Sequence, residues 1–264
     1  MNIFLRELKA NRKALIIWSV CMFLLILSGM GKYTAYSSGG AGSDVFEKMP
    51  YTLKALLGMG SFDVTTISGF FGMMFVYIEL AVAIHAVLLG SGIIAKEERD
   101  KTTEFLMVKP VSRTNVITSK FFAAFVNLVI VNLVSFVSSL MMVDAYNKGE
   151  DITGNIAVFF VSMFIVQLIF LSLGAALASV MKKPKASGSA AAGILMGSFI
   201  VAKITDLTDK VNVINFLSPF KYFSYKDMVD GKGIDVTIVV LCIVLVAVFV
   251  SSTYLFYKNR DLKV

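Results

Sequence analysis

Two ionisable side chains, Glu79 and His85, sit inside a long apolar run over residues 67–95. A carboxylate or imidazole in hydrocarbon is costly and is a functional suspect by default, as a proton carrier, a ligand or the lining of a polar path. At about 100° per residue the two stand roughly 120° apart around a helix, so one site does not easily hold both. Glu79 is left with two readings, the lining of a translocation path or a hydrogen bond to a neighbouring helix. His85 reads as a packing residue. The other candidate motifs for catalysis fail on spacing. The chain has no H-E-x-x-H pair, and Thr102 stands where the E-E-x-x-x-R signature starting at Glu97-Glu98 needs arginine. Gly90-Ser91-Gly92 and Gly188-Ser189 read as small-residue packing sites rather than serine nucleophiles. No G-x-x-x-x-G-K-[ST] phosphate cradle exists, and Gly231-Lys232 has no matching upstream glycine. No catalytic, cofactor-binding or metal-binding residue is assigned, and any ATP must be held by another chain.

A second chemistry, docking, is written in residues 96–120, KEERDKTTEFLMVKPVSRTNVITSK. This segment is too polar for lipid, yet it lies between two apolar runs. Residues 95–108 contain no Gly or Pro and are rich in Glu, Lys, Leu and Met, which predicts a helix. Glu97 and Lys101 form an i, i+4 pair with the acid on the N-terminal side, the better orientation. Pro110 ends that helix, and Ser112 or Thr114 can cap the next one. Phe105, Leu106 and Met107 are left as an apolar ridge beside charges, a surface that seeks lipid or protein.

The elements that must hold these residues are membrane spans. Of 264 residues, 57% are hydrophobic and 16% charged, with mean hydropathy +0.78. A soluble domain is usually about 25% charged. Six runs, over about 14–31, 67–95, 121–143, 156–181, 186–202 and 234–257, approach or exceed the roughly 18 apolar residues that cross a hydrocarbon core of about 30 Å. The fifth run is the shortest. The predicted fold is therefore an all-α membrane protein, a single transmembrane domain over residues 1–264. The net charge of +7 is explained by orientation in the bilayer, not by nucleic acid. With both termini in the cytoplasm, 16 of the 25 Lys and Arg residues fall on the inside, as short basic loops require. Cys21 and Cys242 are far apart and show neither disulfide nor zinc spacing, and no cleavable signal peptide is evident.

The connecting segments carry further expectations. In residues 1–13, Ile3, Phe4 and Leu8 share a helical face among Arg6, Lys9, Arg12 and Lys13. That reads either as an amphipathic helix on the membrane surface that then turns into the first span, or as a basic start that only sets topology. A short helix should begin at Pro50 and stop near Gly58. Phe216, Phe220, Tyr222, Phe223 and Tyr225 around Pro219 suit an aromatic belt at the outer interface. Ser189, Gly193 and Gly197 form a small-xxx-small stripe on the fifth span, and Gly174 and Ala178 form another on the fourth. Such stripes pack helices within one chain or between two.

Glu97-Glu98, Thr102, Glu104 and Lys109-Pro110-Val111-Ser112-Arg113 resemble the loop after the second span of ABC-2 type transporter permeases. So do the six-span plan, the amphipathic start, Ser218-Pro219-Phe220 before the last span, and the tail Lys258-Asn259-Arg260-Asp261. One departure is visible, because relatives carry Gly just before the threonine matched by Thr102 and this chain has Lys101. The resemblance implies the membrane subunit of an ATP-driven exporter in a bacterial cell membrane. A second permease copy or paralogue and two separate ABC ATPase subunits, which bind ATP and Mg, would complete it. It implies that residues 96–120 are the coupling element, with Glu97, Glu98, Thr102, Glu104, Phe105, Pro110 and Arg113 receiving the ATPase motion. It also implies that the second and fifth spans line the substrate path, near Glu79. Spans rich in Phe, Met and Val suit an apolar or amphipathic cargo such as a peptide, lipid or drug. Two rival classes stand beside this one: a non-transporting scaffold or immunity protein, and an intramembrane protease or lipid-modifying enzyme.

Overall fold

The computed structural model describes residues 3–37, 48–58, 63–103, 111–147, 149, 151–207 and 209–259. In order, its helices are α1 (Ile3–Met30), α2 (Tyr33–Tyr36), α3 (Tyr51–Leu56), α4 (Ile67–Arg99), α5 (Arg113–Tyr146), α6 (Thr153–Val180) and α7 (Pro184–Leu207). Two 3-10 segments follow, Asp209–Leu217 and Pro219–Lys221, and then α8 (Tyr225–Val229) and α9 (Val236–Asn259). Six of these helices, one over each predicted apolar run, are long and apolar enough to cross a membrane. A lipid core offers the backbone no water, so a spanning segment must satisfy its N–H and C=O groups internally, as a helix does. At 33 residues α4 is about 50 Å long, well beyond the hydrocarbon, and its last turns carry charges.

The centre of the bundle is α4 against α6, with α5 and α7 beside α4, α1 lying along α5 and α9 along α6. Lipid is as apolar as leucine, so close fit rather than water exclusion holds helices together. The fit between α4 and α6 depends on two glycines. A Cβ at Gly90 would fall far inside contact with the Leu171 carbonyl, and one at Gly174 would do the same with the Val87 carbonyl. Further along the same seam Phe71 and Phe75 meet Phe159 and Phe160 at ring separations of 4.6–5.8 Å. Gly92, two residues on, meets nothing within 4 Å and takes no part in this seam.

Three local expectations are corrected. No Gly or Pro stands between Ile3 and Ser28, so nothing breaks the helix, and α1 runs continuously from Ile3 to Met30. The N-terminal arm is the first turns of α1, not a separate surface helix that turns into the span. The helix predicted over 95–108 is interrupted, because α4 stops at Arg99. Lys101 takes a left-handed backbone, φ 55°, and the Thr102 amide donates to the Glu97 carbonyl at 2.8 Å. This is a Schellman end with lysine at the position that usually holds glycine. Lys101 therefore leaves the helix, and its i, i+4 pair with Glu97 does not form. Glycine is easier there, since a left-handed Cβ costs about 1–2 kcal/mol. Lys101→Gly is thus expected to raise the thermal unfolding temperature of the purified protein slightly, and a lower one would contradict this account of the cap.

The third correction concerns the aromatic belt. Phe216 is exposed, but Phe220 and Phe223 are buried. Phe220 packs between Phe170 and Phe199, ring centroids 5.2 and 5.4 Å away. The Ser218 hydroxyl donates to the Ser198 carbonyl at 2.8 Å, so the chain folds back onto the bundle there instead of lying along an interface. Two other expectations hold: α3 starts after Pro50 and stops at Leu56, just before Gly58, φ 78°, and Ser112 caps α5 by accepting from the Asn115 amide at 3.2 Å.

Candidate functional site

At the end of the bundle that holds the start of α1 and the end of α9, the last turns of α4 meet α1 and α5, and α5 meets α9. Lys96 and Glu97 are consecutive, so they leave α4 about 100° apart and reach different neighbours. Lys96 Nζ contacts Glu7 Oε2 of α1 at 3.3 Å, and Glu7 is only 1% exposed. Glu97, 3% exposed, is paired with Lys120 of α5, which has no exposed surface and also donates to the Ile93 carbonyl. Arg113 Nη1 donates to the Lys258 carbonyl at 3.0 Å, tying the start of α5 to the end of α9. One turn on, the Thr118 and Tyr254 hydroxyls are 2.7 Å apart. Beyond the helix end, Arg99 Nε donates to Asp100 Oδ1 at 3.0 Å, and this hydrogen bond holds the Asp100 carboxyl below its usual range.

The predicted coupling residues are thus placed differently from one another. Glu97 is internal and belongs to the helix packing. Glu98 is half-buried on the last turn of α4, and Thr102 closes the helix end through its amide. Arg113 anchors α5 to α9. Glu104, Phe105 and Pro110, with the Phe105–Met107 ridge, lie outside the described residues. Sequence reasoning missed Glu7 and Lys120. A lysine flanking an apolar run reads as a topology signal, and only the spatial approach of α4 reveals its partner.

Toward the opposite end, Glu79 of α4 is 2% exposed and accepts a hydrogen bond from the Tyr225 hydroxyl of α8. Of its two readings, the contact with a neighbouring helix is the one this geometry contains. Phe75 and Phe159 flank the Tyr225 ring at 6.0 and 6.3 Å. Burial first, and then the adjacent Glu79, push the Tyr225 phenol well above its usual range, so it remains a donor. α8 is pinned from its other end as well: Asn155 Nδ2 donates to the Val229 carbonyl at 2.9 Å. Nearby Asp206 accepts from Lys203 at 2.9 Å and from Lys221, joining α7 to the segment before α8. His85 points elsewhere, with its ring 5.2 Å from Trp18 of α1, so Glu79 and His85 do not share a site.

Removing the Tyr225 hydroxyl strands a buried acceptor, which costs about 1–3 kcal/mol. Tyr225→Phe should therefore unfold several degrees below the parent in a thermal scan. An unchanged midpoint would mean that Glu79 has another donor.

The small-residue stripes separate into two kinds. Gly174 is inside the α4–α6 contact, whereas Ser189, Gly193 and Gly197 are exposed on α7. No atom lies within 4 Å of a Cβ built at Gly193 or Gly197, so that stripe packs on no other described helix of this chain.

Six apolar helices around a glycine-tight centre, with paired charges buried at one end and a folded-back segment at the other, define a multi-pass helical membrane protein. The family model described as ABC-2 family transporter protein matches residues 1–262, and the chain belongs to that family. Its members are membrane subunits that normally carry no ATPase site of their own. No curated protein matches the chain.

Proposed function

We propose that this chain is the permease subunit of an ATP-driven exporter, working as two copies, or one copy and a paralogue, with two separate ABC ATPase subunits that bind ATP and Mg. Its termini and residues 96–120 face the cytoplasm, where the segment receives the motion of the ATPases. The observation that supports this most is mechanical. The helix end leading into the segment is tied to α1 through Glu7 and to α5 through Glu97, and the helix leaving it is tied to α9 through Arg113. A push on the segment is therefore a push on four helices, the kind of connection that rigid-body switching between inward- and outward-facing states requires. Glu98, Glu104, Phe105 and Pro110 are the residues assigned to the ATPase contact, while Glu97, Thr102 and Arg113 hold the segment in place. The exposed stripe Ser189, Gly193 and Gly197 is assigned to the contact between the two permeases, because small residues let helices approach closely. Glu79 lies beside the substrate path on this reading, and the cargo is apolar or amphipathic.

The test is affinity purification of the tagged chain from its native membranes. An ABC ATPase is expected to accompany it in equal numbers, with two of each chain in the assembly by native mass measurement. ATP hydrolysis by that subunit should rise when the permease is present in nanodiscs. An intact chain purified with no ATPase, or with one whose hydrolysis ignores it, would favour a scaffold and reject this reading.

A further inference from the structure

Glu7–Lys96 and Glu97–Lys120 are more than two separate ion pairs, because their middle members are neighbours on one helical turn. Acid on α1 meets base on α4, and acid on α4 meets base on α5, with three of the four residues no more than 3% exposed. From these contacts we infer that the four residues form a clamp that makes α1, α4 and α5 move as one body at this end of the bundle. Glu7 and Lys120 are positioning residues within it. The inference rests on the coupling role proposed for residues 96–120, since a clamp at the root of that segment decides which helices its motion reaches.

The chemistry argues for position over stability. Glu97 Oε1 is buried without a hydrogen-bond partner, so the pair is not fully compensated. Incompletely compensated buried pairs are often no more stable than well-packed apolar residues of similar size, while removal of one partner alone is strongly destabilising. What the ions supply is direction. Lys120 reaches Glu97 and the Ile93 carbonyl together, which fixes both rotation and height of α5 against α4. An apolar contact of the same volume can slide along the helix, but this one cannot without losing both acceptors. The other half of the clamp is a single ion pair, in which the buried Glu7 of α1 holds Lys96 at 3.3 Å.

The experiment uses the full chain in nanodiscs, with spin labels at exposed Lys9, Lys101 and Asn115 taken in pairs and diluted with unlabelled chain. Pulsed dipolar distances then report α1, the end of α4 and the start of α5. In the parent and in Lys120→Arg, which keeps charge and donors, the distributions should be single and narrow. Lys120→Met should broaden the 101–115 distance and leave 9–101 unchanged, and Glu7→Gln should do the reverse. If Lys120→Met does not fold, the double variant Glu97→Met/Lys120→Met keeps the test open. Its unfolding temperature should match or exceed the parent's while the 101–115 distance still broadens. A folded double variant with a narrow 101–115 distance would overturn the clamp. Stimulation of the co-purified ATPase is measured in the same variants. Broadened distances with full stimulation would keep the clamp and reject the coupling role of the segment, so the two failures are distinguishable.

Discussion

Alanine at Gly90 or Gly174 is expected to lower the yield and the unfolding temperature of the protein sharply, while alanine at Gly92 is expected to leave both unchanged. Each substitution adds the same methyl group, and the three differ only in what that methyl meets. At Gly90 it meets the Leu171 backbone carbonyl and at Gly174 the Val87 carbonyl, both far inside contact, whereas at Gly92 it meets nothing within 4 Å. Backbone cannot rotate aside as a side chain can, so α4 and α6 must separate. Their separation loosens the ring contacts of Phe75 with Phe159 and Phe160 further along the seam, which depend on the same helix spacing. Overpacking a tight core costs typically 1–3 kcal/mol and occasionally more, a large part of the total stability of a domain. Monodisperse yield after extraction, and the unfolding midpoint of what remains, measure the effect. Normal yield for Gly90→Ala would mean that the helices do not cross at the distance described.

The second large effect is functional. Glu98→Lys with Glu104→Lys should leave the permease folded but strip it of its ATPase or uncouple the two. Glu98 is half-buried on the last turn of α4, and the two buried pairs there are made by Glu7 with Lys96 and Glu97 with Lys120. Truncating one partner of a buried interfacial charge pair costs about 2–5 kcal/mol of association, and reversal adds repulsion. At about 1.4 kcal/mol per tenfold, the complex should weaken by more than tenfold. The amount of co-purified ATPase and its stimulated hydrolysis report this directly. Full recovery of both in the double variant would remove Glu98 and Glu104 from the contact. Glu97→Lys is the informative contrast, since it places two cations together in a buried site and should fail at folding instead of at coupling.

Much of the architecture was legible because the membrane makes it so. The apolar runs predict the helices, since hydrocarbon leaves the backbone no alternative. Pro50, Gly58 and Ser112 predict local starts and stops through their own dihedral and capping preferences, and these hold. Of the motif Gly90-Ser91-Gly92, read as a packing site, Gly90 does meet another backbone, while Gly92 meets nothing within 4 Å. The failures are of a different kind. Propensity and the Glu97–Lys101 spacing predict a helix over 95–108, but the chain turns left-handed at Lys101 and the Thr102 amide closes back on the Glu97 carbonyl, an end that lysine's modest helix preference does not announce. The Phe216–Tyr225 stretch read as a belt because an aromatic in a loop and an aromatic folded back into a core have the same composition.

Six membrane-crossing helices, a charged segment between the second and third, and the pattern that places the family can all be read from consecutive residues. The partners cannot: Glu97 pairs with Lys120 and not Lys101, Glu7 with Lys96, and Glu79 with Tyr225. The difference is one of range. Helix formation is a property of consecutive residues and the solvent around them. A buried charge instead takes whatever opposite charge or donor the packing of distant helices brings within about 3 Å, and no period along the chain records which helices those will be.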